Sequence, residues 1–279
     1  MIIVENIPQL IAARDNLKGS VALVTTMGNL HLGHLSLIER AKNEADFVVA
    51  TIYVNPLQFS VNEDLSSYPR TLEEDIRKLE ALGVDLLFTP SDEVIYPAGM
   101  HTHTQVIVPG ISDQYCGENR KGHFRGVTTV VCKLFNLIRP QVAIFGYKDF
   151  QQFTIIQKMV SNLAMPIKIV GIETYREASG LAMSSRNRYL TDQEKDRASG
   201  LYEALIWAKK QLLSNNLDFN SIEDQAKTTL KEQGFVVEYF AVCDRNSLQQ
   251  AKADDKKLVI LTGSSFGKPR LIDNITLDL

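Results

Sequence analysis

Apolar, β-branched runs alternate with longer amphipathic stretches through roughly the first two thirds of the chain. The first buried strand is predicted at residues 21–26, and Leu35, Ile38 and Ala41 then recur at helical spacing. Further strands are predicted at residues 47–54, 85–89, 142–145 and 167–172, and further helices at residues 72–82, 127–138 and 150–163. Such alternation is typical of an open parallel sheet, so we predict an α/β domain here.

The pattern changes after about residue 180, where helices are followed by strands instead of alternating with them. Helices are predicted at residues 192–213 and 222–233, and strands at residues 235–242, 257–262 and 271–277. This order predicts a smaller C-terminal α+β domain. We place the domains at residues 1–178 and 179–279, with the boundary in the stretch 176–185.

Composition narrows the class of protein without naming a function. A length of 279 residues suggests about two domains. The formal net charge of −3 gives no overall attraction to nucleic acid or to an anionic membrane, so we expect neither partner. Three widely spaced cysteines fit neither a disulfide framework nor a Cys-rich zinc site. With no basic leader and no apolar run of membrane-spanning length, we expect a cytoplasmic protein.

The most informative stretch lies where the first strand meets the first helix. Residues 25–34 read TTMGNLHLGH. Gly28 and Gly33 allow a ligand to approach the backbone closely, and free N–H groups at a helix start suit phosphate. His31 and His34 add two more donors at the same place. Because ligands of open α/β sheets bind at the carboxyl ends of the strands, this turn is a candidate phosphate site.

Other polar blocks follow later strands. They are NPLQF at residues 55–59, YPRT at 68–71, GYKDFQQ at 146–152 and GLAMSSRN at 180–187. Lys148 supplies a point charge, and Ser184, Ser185 and Arg186 supply two hydroxyls and a guanidinium, which together suit a triphosphate. Gln58 and Gln152 both donate and accept hydrogen bonds, which suits a hydroxyl and a carboxylate on a small polar acid.

The turn at residues 25–34 resembles the HIGH signature of the nucleotidyltransferase superfamily, and residues 180–187 resemble its KMSKS-type loop. Taken in order, the blocks resemble the pantothenate synthetase family over nearly the whole chain. The resemblance implies a Rossmann-like sheet domain and an ATP-dependent ligase that joins (R)-pantoate to β-alanine through a pantoyl adenylate. It also implies Mg²⁺ as the companion of ATP, and a homodimer.

The resemblance further assigns the site residues. It implies that His34, His31 and Lys148 are catalytic and that Gln58 and Gln152 hold pantoate. The implied ATP-binding residues are Met27, Gly28, Asn29, Leu30, His31, Leu32, Gly33, His34, Gly146, Tyr147, Lys148, Asp149, Tyr175, Met183, Ser184, Ser185 and Arg186. The chain departs from the family pattern at Thr25, Tyr147 and Lys121, of which Tyr147 alters the loop beside Lys148.

Weaker candidates and alternatives stay open. His101 and His103 would share a strand face as metal ligands, but no Cys, Asp or Glu lies nearby at ligand spacing. Arg120, His123 and Arg125 form a basic cluster that closes over substrate or simply lies on a surface loop. Glu74 and Asp75 either touch magnesium through water or only complement the helix dipole.

Two other functions share some of these features. A nucleotidyltransferase acting on a phosphate would have the same His-x-Gly-His element, but the paired glutamines and the distinct C-terminal domain disfavour it. An RNA-binding relative of tRNA synthetases would be expected to carry a basic, aromatic-rich face, which a net charge of −3 and a single tryptophan disfavour.

Overall fold

The structure, a computed structural model, describes residues 1–60 and 63–279. Two compact units make up these residues. The first unit contains Met1–Gly146 and Gln152–Ile172, and the second contains Tyr147–Gln151 and Glu173–Leu279. The segment Tyr147–Gln151 therefore belongs with the C-terminal part of the chain, although it follows a strand of the first unit. The functional division at residues 178 and 179 stays a prediction.

The strands, in chain order, are β1 (Ile2–Val4), β2 (Val21–Thr26), β3 (Phe47–Ile52), β4 (Leu86–Phe88), β5 (Val142–Gly146), β6 (Lys168–Ile172), β7 (Val236–Asp244), β8 (Lys257–Ser265) and β9 (Arg270–Asp278). The helices are α1 (Ile7–Asn16), α2 (Leu32–Glu44), α3 (Leu72–Ala81), α4 (Asp92–Ile95), α5 (Cys116–Asn119), α6 (His123–Ile138), α7 (Phe150–Asn162), α8 (Asp192–Ala198), α9 (Gly200–Leu213) and α10 (Phe219–Glu232). Short 3₁₀ helices include Pro56–Gln58, Tyr147–Asp149 and Ser185–Tyr189.

The first unit is built on a parallel sheet with the strand order β1-β4-β3-β2-β5-β6. Residues 21–24 of the central strand β2 are fully buried, as expected where both faces of a parallel sheet are covered. The chain runs from β2 outward to β3 and β4, and β5 then pairs with the other side of β2. This reversal creates a switch point at the carboxyl ends of β2 and β5, where open α/β sheets bind their ligands.

The second unit carries an antiparallel sheet in the order β7-β8-β9. Its core includes Leu205 of α9, Leu230 of α10 and Phe240 of β7, each almost completely buried. Helices thus cover a small antiparallel sheet. The predicted fold class, a Rossmann-like α/β sheet domain followed by a smaller α+β domain, is confirmed.

Several elements differ from the sequence predictions. The stretch predicted as one helix at 192–213 is two helices, because α8 ends at Ala198 and α9 begins at Gly200. The helix predicted at 127–138 begins earlier, at His123. Its first turn contains Gly126, where a Cβ would lie only 2.3 Å from the Leu57 carbonyl oxygen. This close approach requires a glycine, although glycine is unfavourable in a helix. The short strand β1 and helix α1 were not predicted.

Candidate active site

The turn between β2 and α2 has a tightly constrained backbone. Gly28 has a φ of +81°, and a Cβ there would lie 3.1 Å from both Asp75 Oδ2 and Ile52 Cγ2. Asn29 follows with a φ of +52°. Glycine is therefore required at position 28 both by its backbone conformation and by the lack of space. The turn delivers the start of α2 to the carboxyl edge of the sheet.

Asp75, in the first turn of α3, holds this turn in place. Its carboxylate is fully buried and accepts hydrogen bonds from Asn29 N at 2.8 Å and Leu30 N at 2.7 Å. The Thr71 hydroxyl donates a third bond at 3.0 Å. Lys78 Nζ donates to the Leu30 carbonyl at 2.6 Å. Helix α3 thus fixes both backbone polar groups of Leu30, and the role of Asp75 here is to bind backbone.

His31 and His34 lie together at the start of α2, with their ring centroids 4.0 Å apart. His31 N donates to His34 Nδ1 at 3.4 Å. Because a backbone N–H can only donate, Nδ1 is the acceptor and the neutral His34 ring carries its hydrogen on Nε2. Both side chains are half-buried, whereas Leu32 between them is exposed. The two imidazoles therefore stand beside helix N–H groups that favour an anion.

Gln58 lies in the 3₁₀ helix that follows β3, and its amide is held at both ends. Gln58 Nε2 donates to Met27 Sδ at 2.9 Å, and Asn55 Nδ2 donates to Gln58 Oε1 at 3.3 Å. Asn55 is almost completely buried, donates to the Gly126 carbonyl at 3.1 Å and accepts from the Tyr96 hydroxyl at 2.7 Å. The structure therefore brings together Met27 and Gln58, which were assigned to different substrates.

The basic cluster in the middle of the chain forms a network against Gln58. Arg120 donates two hydrogen bonds to Glu63, at 2.8 and 2.5 Å. Arg120 Nη1 lies 2.8 Å from His123 Nε2, and His123 Nδ1 lies 2.7 Å from the Gln58 carbonyl oxygen. Since a guanidinium only donates, His123 Nε2 accepts from Arg120 and Nδ1–H donates to the Gln58 carbonyl in this arrangement. Burial alone would raise the pKa of Glu63, but the hydrogen bonds and charge of Arg120 outweigh it and lower that pKa.

Gln152 occupies a different element from Gln58. It lies in the first turn of α7, after β5 ends at Gly146, and its side chain is half-buried. Gln152 and Gly146 both belong to the first unit. The two glutamines thus follow two strands of the same sheet, as the sequence predicts.

In the second unit, Lys148 lies in the 3₁₀ helix Tyr147–Asp149. Its Nζ is 3.7 Å from Asp149 Oδ1, a loose ion pair that leaves the ammonium able to meet another anion. The backbone of this turn is held from the far end of the chain. Asn274 Nδ2 donates to the Tyr147 carbonyl at 2.7 Å and to the Lys148 carbonyl at 3.0 Å.

The segment containing Tyr175 and Met183 doubles back on itself. Arg176 and Ala182 form an antiparallel bridge, and Met183 N donates to the Tyr175 carbonyl at 2.9 Å. The Tyr175 side chain is exposed, so it is accessible to a ligand. This hairpin brings two predicted nucleotide-binding residues side by side.

Ser184, Ser185 and Arg186 follow directly, at the start of the 3₁₀ helix Ser185–Tyr189. Ser184 Oγ caps this helix by accepting a hydrogen bond from Arg186 N at 3.2 Å. Asn187, within this 3₁₀ helix, anchors it to the preceding segment, because its Nδ2 donates to Glu177 Oε1 at 2.7 Å and to the Ala182 carbonyl at 3.1 Å. Two hydroxyls and one guanidinium are thereby gathered on one short turn, a donor set suited to phosphate.

No group of three or more His, Cys, Asp or Glu side chains that could hold a metal ion occurs among residues 1–60 and 63–279. His103 packs edge to face against Tyr96, with centroids 5.0 Å apart, and His101 is exposed. Glu74 pairs with Lys78 at 2.8 Å.

Among residues 1–60 and 63–279, no helix is long and apolar enough to cross a membrane.

Two buried polar residues in these networks, Asn55 and Asn274, were not assigned to the site from the sequence, and Asp75 was considered only for magnesium or the helix dipole. Asn55 had a local signal, because it is a polar residue shortly after β3 and directly before a proline. Asp75 lies among other acids in the first turn of α3, and nothing in the sequence separates it from them. Asn274 lies 126 residues from Lys148, so no local pattern connects the two.

Comparison with known proteins agrees with these features. The family model for pantoate–β-alanine ligase matches residues 2–276. A pantothenate synthetase from Colwellia psychrerythraea is 52% identical over 265 residues, covering 93% of this chain and 92% of that protein. One from Shewanella halifaxensis is 55% identical over 260 residues, with the same coverage of 93% and 92%.

Solved structures show the same similarity. The pantothenate synthetase from Thermus thermophilus matches with a TM-score of 0.93 and 39% identity over 99% of both chains. The pantoate–β-alanine ligase from Francisella tularensis, complexed with β,γ ATP and β-alanine, matches with a TM-score of 0.83 and 35% identity, over 99% of this chain and 97% of that one. Sequence and fold agree along nearly the entire length, and the chain belongs to the pantoate–β-alanine ligase family.

Proposed function

We propose that this ATP-dependent ligase condenses (R)-pantoate with β-alanine in two chemical steps, with the residues described above serving the first. The ligase activity itself follows from family membership along nearly the whole chain. The observation that carries the assignment of residues is the turn between β2 and α2, which offers two imidazoles and a helix start at the switch point of a parallel sheet.

Pantoate must be activated before it reacts with an amine, because a carboxylate oxygen is a very poor leaving group. In the first step a pantoate carboxylate oxygen attacks the α-phosphorus of ATP, and the bond from that phosphorus to the bridging oxygen breaks. Pantoyl adenylate and pyrophosphate result. In the second step the β-alanine amine attacks the acyl carbon, AMP leaves and the amine loses a proton. The products are pantothenate, AMP and pyrophosphate.

The first unit would contribute neutral donors to the reacting phosphates. With Nδ1 of His34 accepting from the backbone, Nε2–H is directed to donate, and protonating Nδ1 would place two N–H groups against each other. His34 would therefore donate as a neutral imidazole, together with His31 and the N–H groups that begin α2. Donors fixed before the reaction stabilise developing charge without reorganisation.

The second unit would contribute cations and hydroxyls. We propose that Lys148 stabilises the negative charge that grows on the departing pyrophosphate. Ser184, Ser185 and Arg186 would bind the remaining phosphate oxygens. As the family resemblance implies, Gly146 and Asp149 would contact the ribose of ATP, the backbone of Tyr175 would meet adenine, and Met183 would lie beside the phosphates with residues 184–186. The helix cap and the Asn187 bonds that hold residues 184–186 support this assignment.

The two glutamines would bind pantoate. Gln58 has a fixed orientation, because Asn55 donates to its oxygen and its nitrogen faces Met27. A fixed amide discriminates between donors and acceptors on the substrate, which suits the hydroxyl and carboxylate groups of pantoate. Gln152, in the first turn of α7 after β5, would supply the second such amide.

We also propose that Mg²⁺ enters with ATP. Magnesium retains much of its hydration and is commonly held by substrate phosphates with one or two carboxylates, which fits a site whose described residues form no dedicated metal cluster. When bound, it would neutralise phosphate charge. Asp75 is committed to backbone hydrogen bonds, whereas the exposed Glu74 is accessible to a magnesium-bound water.

We further propose, from the sequence, that the protein is a homodimer and that it is cytoplasmic.

ATP–pyrophosphate exchange tests the two-step reaction. Exchange of labelled pyrophosphate into ATP should require pantoate and Mg²⁺ but not β-alanine, because the adenylate forms first. A requirement for β-alanine would contradict the proposed order. Exchange that needs no pantoate would instead favour a nucleotidyltransferase acting on another substrate.

A further inference from the structure

The last strand of the chain reaches the turn that carries Lys148. Asn274 of β9 is buried, and its single side-chain nitrogen donates to two successive carbonyls, those of Tyr147 and Lys148. An amide nitrogen has two hydrogens, so one asparagine satisfies both carbonyls. Aspartate in the same place would present only acceptors to them. The chemistry of an amide is therefore specifically required at position 274.

The preceding residue, Asp273, anchors the second phosphate-binding segment. Its buried carboxylate accepts two hydrogen bonds from Arg176, at 2.6 and 2.9 Å. Arg176 in turn donates to the Gly180 carbonyl at 3.0 Å and stacks on the Tyr202 ring at 3.8 Å. Asn274 N also donates to Asp273 Oδ1 at 2.7 Å, which ties the two residues together.

Asp273 and Asn274 thus hold two loops that are distant in sequence. Asn274 holds the backbone of the Tyr147–Asp149 turn, and Asp273 holds Arg176 and, through it, the start of the segment 180–186. All of these residues lie within the second unit. Burial raises the pKa of Asp273, while the charges of Arg176 and, more weakly, Lys148 act in the opposite direction.

We infer that Asp273 and Asn274 are positioning residues for adenylation, which set where Lys148 stands relative to Ser184–Arg186. The inference rests on the proposed role of Lys148. Neither residue acts on substrate. Their effect arises because a catalytic group displaced by about 1 Å can lose roughly a hundredfold in rate.

A double-mutant cycle tests the inference for Asn274. The variants are Asn274→Ala, Asn274→Asp, Lys148→Ala and the two double variants, assayed in full-length enzyme by pantoate-dependent pyrophosphate exchange. Rates are expressed per ATP-binding site from an equilibrium titration, so that unfolded molecules do not count. Asn274→Ala should lower kcat by roughly ten- to a hundredfold and leave the KM for pantoate unchanged. Asn274→Asp, which retains the side-chain volume, should do the same.

Thr276→Ala is the matched control. Thr276 lies two residues further along β9, on the same face of the strand, and is half-buried. Its hydroxyl has no assigned part in holding either loop, so kcat should stay at the wild-type value. A loss equal to that of Asn274→Ala would overturn the inference, because it would show that any damage to β9 has the same effect.

The cycle separates positioning from general damage. If Asn274 acts through Lys148, replacing Asn274 in the Lys148→Ala background should cause little further loss. Equal losses in both backgrounds would overturn the inference while leaving the role of Lys148 intact. A Lys148→Ala enzyme with wild-type kcat would instead refute the proposed role of the lysine, and the inference with it.

Discussion

The turns that carry His34 and Lys148 are held in opposite ways. In the first unit, Asp75 accepts hydrogen bonds from two successive backbone N–H groups. In the second unit, Asn274 donates hydrogen bonds to two successive carbonyls. Each anchor is buried, and each lies on an element remote in sequence from its turn. A turn that presents backbone N–H groups is held by an acceptor such as a carboxylate, and a turn that presents carbonyls is held by a donor such as an amide.

The difference also concerns charge. A carboxylate beside the first turn puts negative charge close to the candidate phosphate site, where the positive end of the α2 dipole opposes it. A neutral amide beside the second turn adds no negative charge to that of Asp149, whose Oδ1 lies 3.7 Å from Lys148 Nζ. The nearby carboxylate of Asp273 is paired with Arg176. The first turn is therefore suited to donate hydrogen bonds, and the second is suited to supply a full positive charge.

Removing the donor from each turn should produce the largest effect. His34→Ala and Lys148→Ala should each lower kcat and kcat/KM together by about 10²- to 10³-fold, as losing a preorganised donor to transition-state charge typically does. Steady-state exchange kinetics with pantoate and ATP varied in turn measure this. The exposed residues His101 and Lys158 supply matched controls, and their alanine variants should behave as wild type. A change confined to the KM for ATP would mean that the group binds ground state and transition state equally.

Gln58 and Gln152 test a different part of the first unit, because they lie outside the turn between β2 and α2. Losing one partner in a desolvated pocket costs about 1–3 kcal/mol, or roughly ten- to a hundredfold at ~1.4 kcal/mol per decade. Gln58→Ala and Gln152→Ala should therefore raise the KM for pantoate by that factor and leave ATP binding unchanged. Gln157→Ala, on the exposed side of α7, is the control. If these variants lost affinity for ATP instead, the assignment of the pantoate site to Gln58 and Gln152 would be wrong.

The anchor of the first turn should matter less than the donors it supports. Asp75→Asn preserves the side-chain volume but turns one acceptor into a donor that faces backbone N–H groups. We expect the KM for ATP in exchange to rise roughly tenfold, since bonds to a charged acceptor are worth about 1.5–3 kcal/mol and part of this is recovered by relaxation. Glu73→Gln changes the same charge in the same helical turn, but on an exposed side chain. It should have no effect.

Magnesium distinguishes the two roles considered for Asp75. If Asp75 held the metal, raising the Mg²⁺ concentration would restore the activity of Asp75→Asn. Because its oxygens bind Asn29 N, Leu30 N and the Thr71 hydroxyl, we expect no such recovery. Recovery of activity at high Mg²⁺ would show that Asp75 binds the metal, and that its main role is not to anchor the turn between β2 and α2.

The sequence predicted the sheet and the turn between β2 and α2 because both depend on local patterns. Buried β-branched runs mark β2, β3 and β5, and Gly28 marks the turn through its positive φ. Asn274 could not be linked to Lys148, since their contact arises only when β9 is folded beside a turn 126 residues away. Asp75 and Glu73 look alike in sequence, and only packing buries the one and exposes the other.

The smallest predicted effect concerns Glu63, which holds Arg120 beside the Gln58 carbonyl much as Asp273 holds Arg176. Because Arg120 lowers the pKa of Glu63 in the folded protein, the pair stabilises the fold above the unfolded pKa of about 4.3, and that stabilisation is lost as pH falls through the folded pKa. Denaturant unfolding of wild type and Glu63→Gln should show a constant difference between about pH 7 and pH 5, narrowing below about pH 4.3. In an Arg120→Ala background the difference should be small throughout. A difference that persists in strong acid would mean that packing, not charge, holds Glu63 in place.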